Sequence, residues 1–190
     1  MKKFVLAVAL ATSFVFSTTS NAQTIAGLVA ASGGEFDNDF QDYDILLTAL
    51  QTAGLVDALD NPDDRLTVFA PNDAAFIRLA RDFGYVGSNE GEAWNFLVET
   101  LTEVGGGDPI PVLTDVLLYH VAPKRLSLLQ IIFSQQIETL QGATIKPFFI
   151  IFRDNEPDLR NPKLFYPFNL RATNGIIHTI NRVLIPVDLP

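Results

Sequence analysis

Residues 172–186 read ATNGIIHTINRVLIP. Asn174-Gly175 is a strong turn pair, because both residue types tolerate a positive φ that costs others steric strain. Residues 176–185 are mostly β-branched or aliphatic, the composition of a strand laid on a core. Pro186 has no N–H to donate and is expected to stop the ladder. Two polar residues, His178 and Asn181, break the apolar run. The chain therefore closes on a turn and a strand, and that strand needs a partner.

A second strand signal lies far upstream. Residues 66–70, LTVFA, form a compact strand signal ended by Pro71. Asn72 or Asp73 then caps a helix over about 74–80, with Phe76, Ile77 and Leu79 available to the core. Before this strand, 24–31 reads as a short helix with Ile25, Leu28 and Val29 on one side. Ile45, Leu46, Ala49, Leu50 and Ala53 follow the helical period, and Gly54 is placed as a C-terminal cap. After it come a turn-rich loop at 84–91 and a helix over 93–104 carrying Trp94, Leu97, Val98 and Leu101. Asp108 caps a further helix opened by Pro109 or Pro111, leading to Tyr119-His120. From 126 onward the pattern is short strands and turns: 137–140, then one or two strands in 143–152 around Pro147. A polar loop at 154–162 and an aromatic-rich segment at 164–170 follow. Helices early and strands late indicate an α+β fold.

The 190-residue chain carries a net charge of −9 and no cysteine. Lys2-Lys3, an apolar run at 4–16 and Ser20-Asn21-Ala22 form a signal-peptide pattern, with cleavage expected before Gln23. The apolar run is shorter than the roughly 20 residues a membrane-spanning helix needs. We therefore expect a signal peptide at 1–22, one domain at 23–190, and no stable membrane insertion after cleavage. The absence of cysteine excludes disulfides, thiol nucleophiles and thiolate metal sites. An exported chain without disulfides suits the bacterial periplasm or surface, or the medium outside. The acidic balance disfavours nucleic acid as a partner.

Three separated stretches resemble the fasciclin family. Residues 67–76, TVFAPNDAAF, are similar to its first box; 118–121, LYHV, to its central Tyr-His motif; and 174–186 to its second box. The order matches, and the resemblance covers nearly all of 23–190. It implies a wedge: a β-sandwich-like strand core with several helices packed against it, the two boxes supplying neighbouring central strands. It also implies adhesion to a cell-surface or matrix protein or polysaccharide, without catalysis. The chain departs from the family at Asn169 and Asn181, where Asp is common, and in a longer span at 84–111.

Candidate chemistry is sparse. His120 and His178 are the only histidines, and no serine sits in a Gly-x-Ser-x-Gly elbow. Each histidine is expected to be a partly buried side chain bonded to backbone, leaving Tyr119 and His120 as a candidate interaction region. The acidic run 35–44 lacks the central Gly and closing Glu of an EF-hand loop. It is expected to be a solvated helix start. No metal, cofactor or catalytic residue is expected. Phe148, Phe149, Phe152, Phe165, Tyr166 and Phe168 crowd the strand region and are the candidate lining of an apolar groove. The alternative function is therefore a carrier of an apolar ligand, a lipid or pigment.

Overall fold

A computed structural model describes residues 23–186. The expected signal peptide and residues 187–190 lie outside the described residues. The helices are α1 (Ile25–Ser32), α2 (Asp44–Thr52), α3 (Asp73–Asp82), α4 (Glu90–Val104), α5 (Ile110–Tyr119) and α6 (Leu128–Phe133). The strands are β1 (Leu66–Pro71), β2 (Val121–Ala122), β3 (Ile137–Glu138), β4 (Thr144–Phe148), β5 (Ile151–Arg153), β6 (Leu170–Arg171) and β7 (Gly175–Ile180). Four strands make one sheet in the order β2-β1-β7-β6, and three make a second in the order β3-β4-β5. The fold is α+β, as the segregation of helix and strand signals implies.

The caps explain where the helices begin. Asn72 Oδ1 accepts the Ala75 N–H at 3.1 Å, opening α3. Asn89 Oδ1 does the same for Glu92 at 2.9 Å, opening α4. Asp108 Oδ1 accepts the Ile110 N–H at 3.0 Å. Gly54, past the end of α2, takes φ +66°, a value that costs glycine nothing. Sequence reasoning missed α6, placing only strands and turns there. Its signal is Ser127-x-x-Gln130, which closes a reciprocal capping box.

The central feature is the parallel pairing of β1 with β7, in register from Leu66 opposite Gly175 to Pro71 opposite Ile180. Alternation along β1 splits the core in two. Leu66, Val68 and Ala70 face one cluster with Ile177 of β7 and the residues of α1 to α5. Phe69 faces the other, with Ile180, Tyr119, Ile145 and Phe152. Helices therefore cover one face of the main sheet; α6 and the small sheet cover the other. Among the described residues, the apolar cavity between α3, α4 and α5 measures only about 30 Å³, room for a water and not for a lipid.

The Asn174-Gly175 pair works differently from its sequence signal. Neither residue takes a positive φ. Asn174 is buried instead, and its amide is a three-way clamp. Its Oδ1 accepts the Ile25 N–H at the start of α1 at 2.8 Å. Its Nδ2 donates to Leu59 O at 2.8 Å and to Asn61 O at 3.0 Å. Its backbone carbonyl accepts the Leu66 N–H at 2.9 Å. Gly175 is needed for space: a Cβ there would stand 2.4 Å from Leu66 O and 2.5 Å from Ile25 Cδ1. The strand is also shorter than expected. Pairing ends at Ile180, not at Pro186, and 181–186 runs on as buried irregular chain.

Removing the clamp leaves buried donors and acceptors unsatisfied. Asn174→Ala is expected to lower unfolding free energy by roughly 3 to 5 kcal/mol. Gly175→Ala should cost at least about 2 kcal/mol through the clash. Urea denaturation followed by circular dichroism measures both, and a loss below about 1 kcal/mol for Asn174→Ala would contradict the clamp.

Candidate interaction surface

Tyr119 and His120 end α5, and both are buried. Tyr119 Oη donates to Thr144 O at 3.0 Å, bridging the two sheets' layers. His120 Nδ1–H donates to Val116 O at 2.7 Å, and its Nε2 accepts the Leu184 N–H at 2.9 Å. The surface role expected for this pair is corrected by its position: the side chains lie in the second core cluster and against the chain after β7. His178 is built the same way. Its Nε2–H donates to Leu126 O at 2.8 Å, and its Nδ1 faces the Asn169 N–H at 3.4 Å.

Each ring thus needs one protonated and one bare nitrogen, which is the neutral form. Burial pushes the His120 pKa down to about 4 and lowers that of His178. With both nitrogens of both rings engaged by backbone, neither histidine has an atom left for proton transfer to a substrate.

Asn169 and Asn181 are also structural. Asn169 Oδ1 accepts the Leu128 N–H at the start of α6 at 2.9 Å. Asn181 Oδ1 accepts the Lys163 N–H at 2.9 Å, while its own N–H donates to Lys163 O at 3.0 Å.

The six aromatics divide. Phe152 is fully buried and packs edge-on against Phe69, with ring centres 4.9 Å apart. It belongs to the core and leaves the proposed groove. Phe148, Phe149, Phe165, Tyr166 and Phe168 are exposed, Tyr166 by 74 % and Phe149 by 67 %. Phe148 and Phe149 meet edge-on at 5.3 Å at the β4–β5 turn, and Tyr166 and Phe168 do so at 6.3 Å. The Leu164 N–H donates to Ile150 O at 2.8 Å, tying the two segments side by side. Phe149 takes φ +55°, a conformation where a bulky side chain costs about 1–2 kcal/mol relative to glycine. These rings form a surface and enclose no cavity of their own.

Next to them lies a feature that sequence reasoning missed. Arg78, Arg160, Lys163 and Arg182 line one open groove with Ile151, Asn161 and Asn181. Arg78 Nη1 donates to Asn181 O at 2.8 Å, and Arg182 pairs with Asp82. Burial, with Arg182 and Arg81 nearby, holds the Arg78 pKa below the usual arginine value. The four cations come from α3, from the loop before Lys163 and from the segment after β7, so no local charge run announces them. The acidic run 35–44 is solvated over 35–41, as expected, but it is loop and turn up to Asp44, the buried first residue of α2.

The fasciclin domain family matches residues 41–186. The chain belongs to the fasciclin family. This fasciclin domain is 26 % identical to protein sll1483 of Synechocystis over 171 residues, covering 90 % of this chain and 77 % of that one. It is 31 % identical to the transforming growth factor-beta-induced protein ig-h3 of pig over 144 residues. That match spans 76 % of this chain but only 18 % of the pig protein. The fold matches a FAS1 domain pair from the insect cell adhesion molecule Fasciclin I, with a TM-score of 0.54 and 17 % identity. There the fasciclin domain covers 86 % of its own length and 51 % of the pair. No helix among the described residues is long and apolar enough to cross a membrane.

The neutral histidines give the domain a pH signature. The His120 pKa in the folded state lies below the unfolded value near 6.5, so its contribution is fully present above that pH and is lost as pH falls towards 4. Asp154, held up to about 6 by burial, works in the opposite direction, losing its contribution as pH rises through that value. Comparison with His120→Gln isolates the histidine. Between pH 8 and 4.5 the wild type should lose roughly 2 to 3 kcal/mol more than the variant. Urea denaturation at the two pH values checks this, and parallel losses would show that His120 does not titrate with unfolding.

Proposed function

We propose that this fasciclin domain is an exported, non-catalytic adhesion module that holds an acidic polysaccharide of a cell surface or matrix. The observation that carries the proposal is the pairing of exposed aromatic rings with a cationic groove. Phe148, Phe149, Phe165, Tyr166 and Phe168 stand beside a groove lined by Arg78, Arg160, Lys163 and Arg182. Lys163 and Leu164 are consecutive, so the groove runs into the aromatic segment without a break in the chain. Aromatic faces stack on the apolar faces of sugar rings, and guanidinium and ammonium groups take carboxylate or sulfate.

Charge supports the choice of partner. A chain with net charge −9 repels polyanions in general, so a local gathering of four cations is a selective attraction. Phe149 supports it too. Holding an exposed phenylalanine at positive φ opposes stability, and its presence there is consistent with a binding role. Membership of a family associated with cell adhesion agrees with this use. So does the name of the insect cell adhesion molecule that shares the fold. The signal-peptide pattern at 1–22 supports secretion or a periplasmic location. The apolar-carrier alternative gains nothing from the cavity between α3, α4 and α5, whose volume of about 30 Å³ admits no lipid or pigment.

The test is retention on beads coated with an acidic polysaccharide such as alginate, beside neutral dextran beads. Wild type should bind the acidic beads and lose binding as salt rises. The double variant Phe149→Ala with Tyr166→Ala, and separately Arg160→Glu, should each weaken retention at least about tenfold while melting as wild type does. Equal retention on neutral and acidic beads, or full binding by both variants, would overturn the proposal.

A further inference from the structure

The loop between α1 and α2 gathers carboxylates that the adhesion surface does not use. One ligand oxygen from each of Asp37, Asp42 and Asp44 lies within 4.8 Å of the others. Glu90, the first residue of α4, meets the same loop, its Oε2 accepting the Asn38 N–H at 2.9 Å. Asp44 is 2 % exposed and Glu90 is fully buried. Three buried oxygens here have no hydrogen-bond partner: Asp42 Oδ1, Asp44 Oδ2 and Glu90 Oε1.

Asp37, Asp44 and Glu90 are each anchored through one carboxylate oxygen. Asp44 Oδ1 accepts the Gly34 N–H, and Asp37 Oδ1 accepts the Asp39 N–H at 2.8 Å. The Asp73 carboxyl, in turn, accepts the N–H groups of Asp44 and Ile45 at 3.1 and 2.8 Å and so fixes the start of α2. Backbone N–H groups therefore hold Asp37, Asp44 and Glu90, while one oxygen of each of Asp42, Asp44 and Glu90 stays bare. A buried carboxylate oxygen without a partner is costly unless a cation meets it. The charges that act most strongly on Asp42 and Glu90 are those of neighbouring carboxylates.

We propose that Asp37, Asp42 and Asp44 bind a divalent cation of the calcium type. The donors are all hard oxygens supplied by an irregular loop and a helix start, which suits calcium's loose geometry better than magnesium's strict octahedron. The absence of histidine and cysteine from the set disfavours zinc and copper. Asp37 is exposed and gives the ion a way in from solvent. Bound there, the ion pins the loop at Asp37 and Asp42 to the start of α2 at Asp44. The three carboxylates stand at 37, 42 and 44 without the central Gly and closing Glu of an EF-hand loop, so only their folded arrangement brings them together.

The experiment is calorimetric titration of chelator-treated protein with calcium chloride, alongside thermal melts. Wild type should show one site with a dissociation constant on the order of 10⁻⁵ to 10⁻³ M and a raised melting temperature. Magnesium should bind at least about tenfold more weakly. Asp37→Asn keeps the bond to the Asp39 N–H, so its metal-free melt should match wild type while calcium affinity falls at least about tenfold. Asp63→Asn, elsewhere on the surface, should leave binding unchanged. No heat and no melting shift up to about 10 mM calcium chloride would overturn the proposal. So would wild-type affinity in Asp37→Asn, or an equal loss in Asp63→Asn, which would mark general charge screening.

Discussion

The parallel pairing of β1 with β7 is the constraint on which the rest depends. Two strands separated by residues 72–174 must meet, and parallel strands cannot be joined by a hairpin. Everything between them is therefore crossover: α3 to α5 pass over one face, and α6 with the small sheet passes over the other. The entropy of closing so long a loop has to be recovered in one place. Asn174 recovers part of it by fastening α1, the 59–61 turn and β1 to the start of β7 with four hydrogen bonds. Gly175 lets the two backbones approach to the distance that pairing requires.

From that junction the buried polar groups take on a common logic. Thr179 of β7 meets the Tyr43 hydroxyl at 2.6 Å, and His178 holds the carbonyl of Leu126. His120 holds the chain after β7 through Leu184. Asn181 and Asn169 fasten the 163 and 128 segments. Each joins the central sheet, or the chain that leaves it, to a segment with no regular pairing of its own. Irregular chain inside a domain must have its N–H and C=O groups answered, and side-chain amides and neutral imidazoles answer both kinds. That explains why these positions are Asn and His and why none is left over for chemistry.

The sequence made the scaffold readable because its signals are local or periodic. The strand at 66–70, the Asn72 cap, the amphipathic helices and the second box all follow from nearest neighbours. What escaped reading is non-local. Asn174 announces a turn but serves as a clamp whose partners are far away in the chain. The β7 strand stops at Ile180 because its β1 partner ends at Pro71, not because of Pro186. Tyr119 and His120 look like a surface motif until the second sheet covers them. Phe152 is indistinguishable in sequence from its exposed neighbours, yet pleating turns it inward against Phe69. The cationic groove is assembled from separate elements, so no window of sequence contains it; the carboxylates of 37–44 are visible in sequence, but not the convergence of their oxygens.

The same separation governs where function can lie. The two-sided core needs nearly every side chain of β1 and β7, leaving the central sheet no freedom to present a ligand site. Variation is affordable only at the margins: the β4–β5 turn, the 160–168 segment and the α1–α2 loop. Those are the places where the domain departs from what stability alone would select. Phe149 holds a left-handed turn position, five aromatic rings face water, like-charged guanidiniums share a groove, and carboxylates are buried without donors. Each departure opposes folding by itself, and all of them sit outside the junction that holds the fold. A scaffold fastened by two strands far apart in its chain can carry such sites, because a change at any one of them leaves the β1–β7 pairing intact.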